Sequence, residues 1–262
     1  MSVVMSESHE QRDVAESFGA DAERYDRSRP RYPGELIDRL AHPGLDVLDV
    51  GCGTGIASRQ LAAAGCRVLG VDADPRMAAL ARELGVEAQV ARFEQWEPAG
   101  RTFDLVVAGQ TWHWIDPVAG AAQAARVLRP GGRIALFWNA FLTPPELAEP
   151  FADAWTAALP QMPRSVLTSP GDAPYGPMMD TAAAGLATAG GFGTPQRWRF
   201  DWEQTYTRDE WLDLVPTQGL MSRLPPSQLA DLLARLGAAI DGNGGRITIP
   251  YATVALTAPV SS

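Results

Sequence analysis

A chain of 262 residues, 46% hydrophobic by composition, is long enough to bury one proper core and carry an elaboration or lid on it. Its formal charge of −9, with arginines scattered among acids rather than gathered in a block, argues against a nucleic-acid partner, whose phosphates need a basic face. No run of about 18 apolar residues offers a membrane span. The two cysteines, Cys52 and Cys66, form neither a disulfide framework nor a metal-ligand spacing, so no metal is predicted and a reducing cytoplasm is the expected location.

Residues 1–12 read as a disordered leader, polar and without the basic-then-apolar order of a secretion signal. Val14, Phe18, Ala22 and Tyr25 recur about four apart, which predicts a helix from Val14 to Arg29. Pro30 stops it, and Pro33 stands where a helix from Gly34 to Leu40 can begin. Leu45, Val47, Leu48 and Val50 then make an apolar run short enough for a buried strand. It breaks into Gly51-Cys52-Gly53-Thr54-Gly55, and a helical stretch follows from Ile56 to Ala64. Glycines at every second position permit backbone angles closed to other residues and let a ligand lie almost on the main chain. The amide hydrogens that open the helix point into the same space. The turn is therefore a cradle for a polar, nucleotide-like ligand.

Spacing narrows the choice of ligand. A dinucleotide turn has the form Gly-x-Gly-x-x-Gly, whereas position 56 here is Ile and a carboxylate, Asp49, lies two residues before the turn. An acid aimed at the turn repels a pyrophosphate and suits a ligand carrying an ammonium group. A second acid, Asp72, followed by Ala73, ends the next apolar run, Val68 to Val71 of a strand from Arg67, where a ribose diol can be held.

An acid followed by Gly-x-Gly-x-Gly after the first strand, with a further acid at the end of the second, resembles the class I S-adenosylmethionine-dependent methyltransferases. The resemblance implies a Rossmann-like α/β fold, with a seven-stranded, mostly parallel sheet, helices on both faces, an antiparallel edge strand and a helical cap insertion. It also implies S-adenosylmethionine as cofactor, a phosphate-free nucleoside with an amino-acid end, gripped by Asp49, Gly51, Cys52, Gly53, Thr54, Gly55, Asp72 and Ala73. The segment Tyr25-Asp26-Arg27-Ser28-Arg29-Pro30-Arg31-Tyr32-Pro33 looks like the N-terminal cover of the trans-aconitate-methyltransferase-like small-molecule group. There the segment folds over the cofactor and an arginine meets the methionyl carboxylate. Arg31, with Tyr25, stands in the matching position; the alternatives are an arginine that pins the leader to the domain and a packed tyrosine. After the third strand, Val86 to Ala91, the family holds the adenine, commonly with an acid. Here Arg92 occupies that position, which leaves Phe93 or Glu94 for the contact.

The fourth strand, Phe103 to Ala108, delivers Gly109-Gln110-Thr111-Trp112-His113-Trp114 to the carboxyl end of the sheet, where open α/β folds bind ligands. The Gln-x-x-His-Trp stretch is shared with the same small-molecule group, and it puts Gly109 and Gln110 near the methionyl part of the cofactor. His113 is either a general base or substrate-positioning group, or a packed histidine between two tryptophans. A helix from Asp116 to Leu128, a Pro-Gly-Gly turn and a fifth strand, Arg133 to Trp138, follow. Residues 13–140 thus read as the cofactor-binding core.

From 141 to 185 the alternation stops, with prolines punctuating one plausible helix, Pro145 to Leu159. Such an interruption is expected to be a substrate-recognition cap, or else a helical pair closing one sheet edge. Residues 186–262 supply the rest of the core: a strand from Gln196 to Gln204, a capping box at Thr207 and Glu210, an amphipathic helix from Ser227 to Ile240, and a closing strand from Ile247 to Leu256. Trp112, Trp114, Trp138 and Trp155 suggest an apolar or aromatic small-molecule acceptor, although tryptophan serves equally well as core. The expected activity is methyl transfer by in-line displacement through proximity and orientation, from a monomer or homodimer. The rivals are a non-catalytic S-adenosylmethionine-binding module and a nicotinamide-dependent oxidoreductase.

Overall fold

Each central strand feeds both faces of one sheet. In β1 (Asp46–Val50), Val47 joins the apolar cluster on one face while Leu48 and Val50 join the cluster on the other. In β4 (Phe103–Gly109), Leu105 and Val107 face one way, Val106 and Ala108 the other. Near-continuous apolar runs of this kind require cover on both sides, and so a parallel sheet with crossover helices. A computed structural model describes residues 18–160, 164, 175–219, 221 and 224–261. The leader 1–12, Val14, Met162, Pro163, Pro170 and Pro174 lie outside the described residues.

The chain opens with a 3₁₀ turn, Phe18–Asp21, and two short helices, α1 (Ala22–Ser28) and α2 (Gly34–Leu40). The alternation then runs β1, α3 (Ile56–Ala63), β2 (Arg67–Asp72), α4 (Pro75–Glu83), β3 (Glu87–Val90), β4, α5 (Pro117–Val127) and β5 (Leu128–Phe141). After β5 come α6 (Ala148–Ala158), α7 (Tyr175–Ala189), β6 (Gln196–Thr207), α8 (Arg208–Leu214), α9 (Pro226–Gly242) and β7 (Arg246–Pro259). The sheet order is β3-β2-β1-β4-β5-β7-β6. Neighbours from β3 to β5 are parallel, and β7 runs antiparallel to both β5 and β6. The expected antiparallel pair therefore closes one edge.

Three elements differ from the sequence reading in instructive ways. The Pro-Gly-Gly turn lies within β5 as a bulge, because Phe103 pairs with Leu128 and Leu105 with Arg133, leaving Asp104 opposite four residues. The last two strands are longer than predicted. Residues 196–202 of β6 pair with the part of β7 that also pairs with β5, whereas from Pro250 back to Arg246 β7 has only β6 as a strand partner. This projecting ribbon carries a second core, in which Trp211 is fully buried against Phe141, Phe151 and Tyr206 at ring distances of 5.7, 6.2 and 5.5 Å. Finally, packing divides the expected cap: α6 belongs to the ribbon's core with α8 and α9, while α7 packs on α5 against the main sheet.

The predicted capping box is present. Glu210 N donates to Thr207 Oγ1 at 3.3 Å, and Thr207 N donates to the Glu210 carboxylate at 2.7 Å. No helix among the described residues is long and apolar enough to cross a membrane.

Candidate active site

The two ends of β1 treat their acids in opposite ways. Asp46, at the start, lies 2.6 Å from Arg67 and 2.7 Å from Arg129, which hold its carboxyl below the usual carboxylate range. Asp49, near the carboxyl end, is 1% exposed and has no cationic partner among the described residues. Its Oδ2 accepts a 2.5 Å hydrogen bond from Ser58 Oγ on α3. Burial pushes the Asp49 carboxyl up to about 7, against the pull of the Ser58 hydroxyl, and the nearby negative charge of Asp72 adds to the rise. A buried acid without a cation is costly in isolation, so its presence beside a glycine turn points to a ligand that brings the positive charge.

The turn itself is fixed by main-chain geometry. Gly51, Gly53 and Gly55 hold φ values of +63°, +55° and +85°, a region that strains other residues. A side chain at Gly51 would overlap Thr111, whose hydroxyl bonds the Gly51 carbonyl at 3.0 Å. In front of Gly53 the nearest atom to an added Cβ is Met77 Cε, at 3.5 Å. Asp72 braces the turn, its two oxygens accepting from Gly53 N at 2.7 Å and Asp74 N at 2.8 Å. Burial raises the Asp72 carboxyl as well. Ala73, beside it, is exposed. A cavity of about 40 Å³ lies against this turn, lined among others by Tyr25, Tyr32, Asp49, Cys52, Gly109 and Thr111.

The folded part of the leader, α1 and the segment after it to Pro33, lies against it. Asp26 on α1 accepts from Thr54 Oγ1 at 2.7 Å, forms an ion pair with Arg59, and lies 3.5 Å from Arg31, which is itself exposed. The other side of α1 holds the ribbon lobe: Arg24 and Arg27 both reach Asp213 at 2.8 Å.

On the loop after β4, Gln110 adopts φ +58°, a conformation that costs a non-glycine residue roughly 1 kcal/mol or more. Its backbone N donates to Phe137 O at 2.8 Å and its Nε2 to Asn139 O at 3.3 Å, while Oε1 is buried without a hydrogen-bond partner. Strain together with an orphaned acceptor at the mouth of the sheet makes Gln110 a candidate ligand contact. His113 follows in a 3₁₀ turn, Trp112–Trp114. Its Nδ1 accepts from Trp138 Nε1 at 3.2 Å, which puts the proton of the neutral ring on Nε2, and burial lowers its pKa to about 4.

Residues 48–136 match the sequence profile of a family described as a methyltransferase domain. Over 260 residues, 95% of this chain and 98% of the relative, the sequence is 31% identical to an uncharacterized methyltransferase of Mycobacterium tuberculosis. The chain belongs to the class I S-adenosylmethionine-dependent methyltransferases. The same fold occurs in a solved putative type II methyltransferase from Anaeromyxobacter dehalogenans, with TM-score 0.63 and 24% identity over 88% of this chain and 97% of that one. It also occurs in phosphoethanolamine N-methyltransferase 2 of Haemonchus contortus, solved in complex with S-adenosyl-L-methionine, with TM-score 0.50 and 15% identity over 95% of this chain and 57% of that one.

The methyltransferase's remaining predicted residues are dispersed. Phe93 is buried 6.4 Å from the Trp112 ring, Glu94 Oε1 accepts from Asp116 N at 3.1 Å at the start of α5, and Arg92 is exposed. Trp112 and Trp138 are buried in the main core beneath the loop, and Trp114 lies 4.6 Å from the His113 ring. Trp155 packs in the ribbon's core with Phe151 and Trp211, away from the other three. Sequence reasoning missed Ser58, Asp26 and Asn139. The first sits in the opening turn of a helix that had been read only for its apolar residues. Asp26 lay inside the quoted leader motif, and only its three partners reveal its role. A cofactor with an ammonium, a diol and no phosphate fits what is present: an unpaired buried acid, a second acid on the next strand end, an orphaned amide oxygen, and glycines that keep side chains out of the space between them.

Proposed function

We propose that this methyltransferase alkylates a small-molecule acceptor held between the glycine turn and the ribbon lobe, and that it acts by alignment without a protein base. The observation that carries the reading is Asp49, a buried carboxyl group with no cation beside it among the described residues, near the end of the strand that opens onto the turn. When bound, S-adenosylmethionine supplies a methyl group activated by a sulfonium. Asp49, with the free Oε1 of Gln110, binds the ammonium. Asp72 holds the ribose diol, and Phe93 and Glu94 border the adenine. Tyr25 and Arg31, on the leader that closes through Asp26, cover the amino-acid end. Trp112, Trp114, Trp138 and His113 shape the floor of the acceptor site. His113 positions rather than abstracts: its Nδ1 is engaged by an indole donor, and a ring with so low a pKa is a poor proton acceptor at neutrality. Exclusion of water and in-line placement of the nucleophile then supply the catalysis. The net charge of −9 favours a small molecule over a nucleic acid, and two free, buried cysteines suit a reducing cytoplasm.

Isothermal titration with S-adenosylhomocysteine tests the cofactor site. Wild type should bind, and Asp49→Asn and Asp72→Ala should each weaken binding by about 100-fold, as expected for loss of a charge-assisted contact in a buried site. Binding by Asp72→Ala that equals wild type removes the ribose assignment. Transfer of tritium from methyl-labelled S-adenosylmethionine to candidate acceptors separates an enzyme from a passive binding module.

A further inference from the structure

A second hollow lies near the amino ends of β4 and β5, at the opposite rim of the sheet from the glycine turn. Its volume is about 470 Å³, and it shares no lining residue with the cavity at that turn. The bulge of β5 forms one wall and the end of α2 the other, over a floor of Leu40, Leu45 and Leu105. Two lining residues are arginines, Arg39 in the last turn of α2 and Arg133 on β5. Both guanidiniums lie against one indole: Arg39 Cζ is 4.0 Å and Arg133 Cζ 5.7 Å from the ring centre of Trp198, a buried residue of β6. Among the described residues neither guanidinium makes a hydrogen bond or an ion pair. Carboxylates are not scarce, since the chain has 31 acids against 22 lysines and arginines. The carboxylate in the lining is already engaged: Asp104 Oδ2 accepts from Arg129 Nη1 at 2.7 Å and from the Asp46 amide at 2.9 Å. His42, exposed just beyond α2, adds an imidazole to the same lining.

Two like charges within about 6 Å of the same ring repel one another, and an anion between them removes the repulsion. Stacking on the indole fixes each guanidinium plane and leaves its N–H edge free for an acceptor lying in that plane. A monoanion can answer one such fork. A phosphate monoester brings nearly two negative charges at neutral pH and three acceptor oxygens, enough for both forks and a ring N–H of His42. The hollow is much larger than a bare phosphate needs and falls in the range that holds a small organic ligand. We propose that this hollow is a second ligand site, which takes a soluble phosphate monoester: Arg39 and Arg133 grip the phosphate, and the leucine floor seats its carbon part. The site stands apart from the methyl-transfer centre, with α2 between the two. Tyr32, just ahead of that helix, lines the cofactor cavity, and Arg39, in its last turn, lines the hollow.

Isothermal titration of the full chain at about pH 7.5, where the phosphate is a dianion, tests this. The probes are phenyl phosphate and glycerol 3-phosphate, with phenol, glycerol and benzoate as matched controls. At least one ester should bind, its parent alcohol should not, and benzoate should bind about tenfold or more weakly than phenyl phosphate. Arg39→Gln and Arg133→Gln should each weaken the ester by about tenfold or more, and the double variant should abolish binding. Arg39→Lys and Arg133→Lys keep the charge and lose the fork, so each should weaken it by about threefold. Saturation with S-adenosylhomocysteine should leave ester affinity within about threefold, because the two linings are separate. The proposal fails if neither ester binds at millimolar concentration, if benzoate matches phenyl phosphate, or if S-adenosylhomocysteine displaces the ester. It fails equally if the protein sediments with phosphatidylcholine vesicles carrying phosphatidic acid and ignores the soluble esters, which would make this face a membrane contact. Thermal unfolding separates loss of recognition from loss of fold. Should a glutamine variant not fold, the lysine variants decide, and wild-type affinity in both of them overturns the site.

Discussion

Thr54, in the middle of the glycine turn, donates its hydroxyl to Asp26 of the leader helix at 2.7 Å. One carboxylate thereby ties α1 to the glycine turn, and Asp213, through Arg24 and Arg27, ties the same helix to the ribbon lobe. Arg24 and Arg27 are 40% and 62% exposed against 25% for Asp213, so screening keeps each pair near the bottom of the range for surface ion pairs, about 0.5 kcal/mol or less. Asp213→Ala should therefore leave the melting temperature within about 2–4 °C of wild type. It should release the leader enough to weaken S-adenosylhomocysteine binding about three- to tenfold, through faster dissociation. Stopped-flow release of the ligand checks this, and wild type in about 0.5 M salt should move toward the variant.

Asp49 is expected to trade stability for binding. Its folded pKa, about 7, lies above the unfolded value. Between roughly pH 4 and pH 7 the folded state then holds a proton that the unfolded chain has lost. The stability this group contributes is full below pH 4 and lost as pH rises through 7. Asp49→Asn should thus stabilise the ligand-free protein at pH 8, by on the order of 4 kcal/mol at most, seen as a higher melting temperature, with no gain at pH 4. The same variant should lose cofactor affinity.

The same titration should appear in binding. A cationic ligand needs the ionised carboxylate, so affinity for S-adenosylmethionine should fall by up to about tenfold per pH unit below 7 and level off above it. Isothermal titration at pH 5.5, 6.5, 7.5 and 8.5 gives the curve. Asp49→Asn should flatten it, and a wild-type curve without a break near 7 would remove the ammonium assignment.

His113→Asn separates a base from a positioning group. Loss of a general base typically costs about 10²–10⁴ in kcat, whereas we expect a drop of about tenfold or less and no change in the alkaline or acid limbs of the pH profile. His113→Phe should cost more in stability than in rate. It leaves the Trp138 indole N–H buried and unpaired, a penalty of about 1–3 kcal/mol.

Gly51→Ala tests the cradle. An added Cβ overlaps the Thr111 side chain at a residue already held at φ +63°. The variant should lose about 1–3 kcal/mol of stability from the backbone conformation alone. The double variant with Thr111→Ala should regain stability without regaining cofactor affinity, because the hydroxyl that bonds the Gly51 carbonyl is gone.

The core of the fold was legible because apolar run length and glycine punctuation are local signals. Val47, Leu48 and Val50 announce a buried strand, and Gly51, Gly53 and Gly55 announce the turn after it. The second core was not legible in the same way. Trp211 and Leu236 are central to it, but they meet Phe151 only because β6 and β7 outrun the sheet, and pairing length has no local signature. The site divided along the same line. Asp49 and Asp72 could be read from position in a motif, whereas Asp26 drew no notice beside Arg31. Of the two arginines in Arg-Pro-Arg, it is Arg31 that finds a carboxylate among the described residues, Asp26, and that pairing depends on how the chain turns after α1.

The projecting ribbon has a mechanical consequence. Its two strands are rooted between β5 and the sheet edge and emerge from the other side to hold the lobe, so neither body can melt without tearing the same ladder of pairs. Heating should give a single calorimetric peak spanning both, with the enthalpy of one cooperative unit.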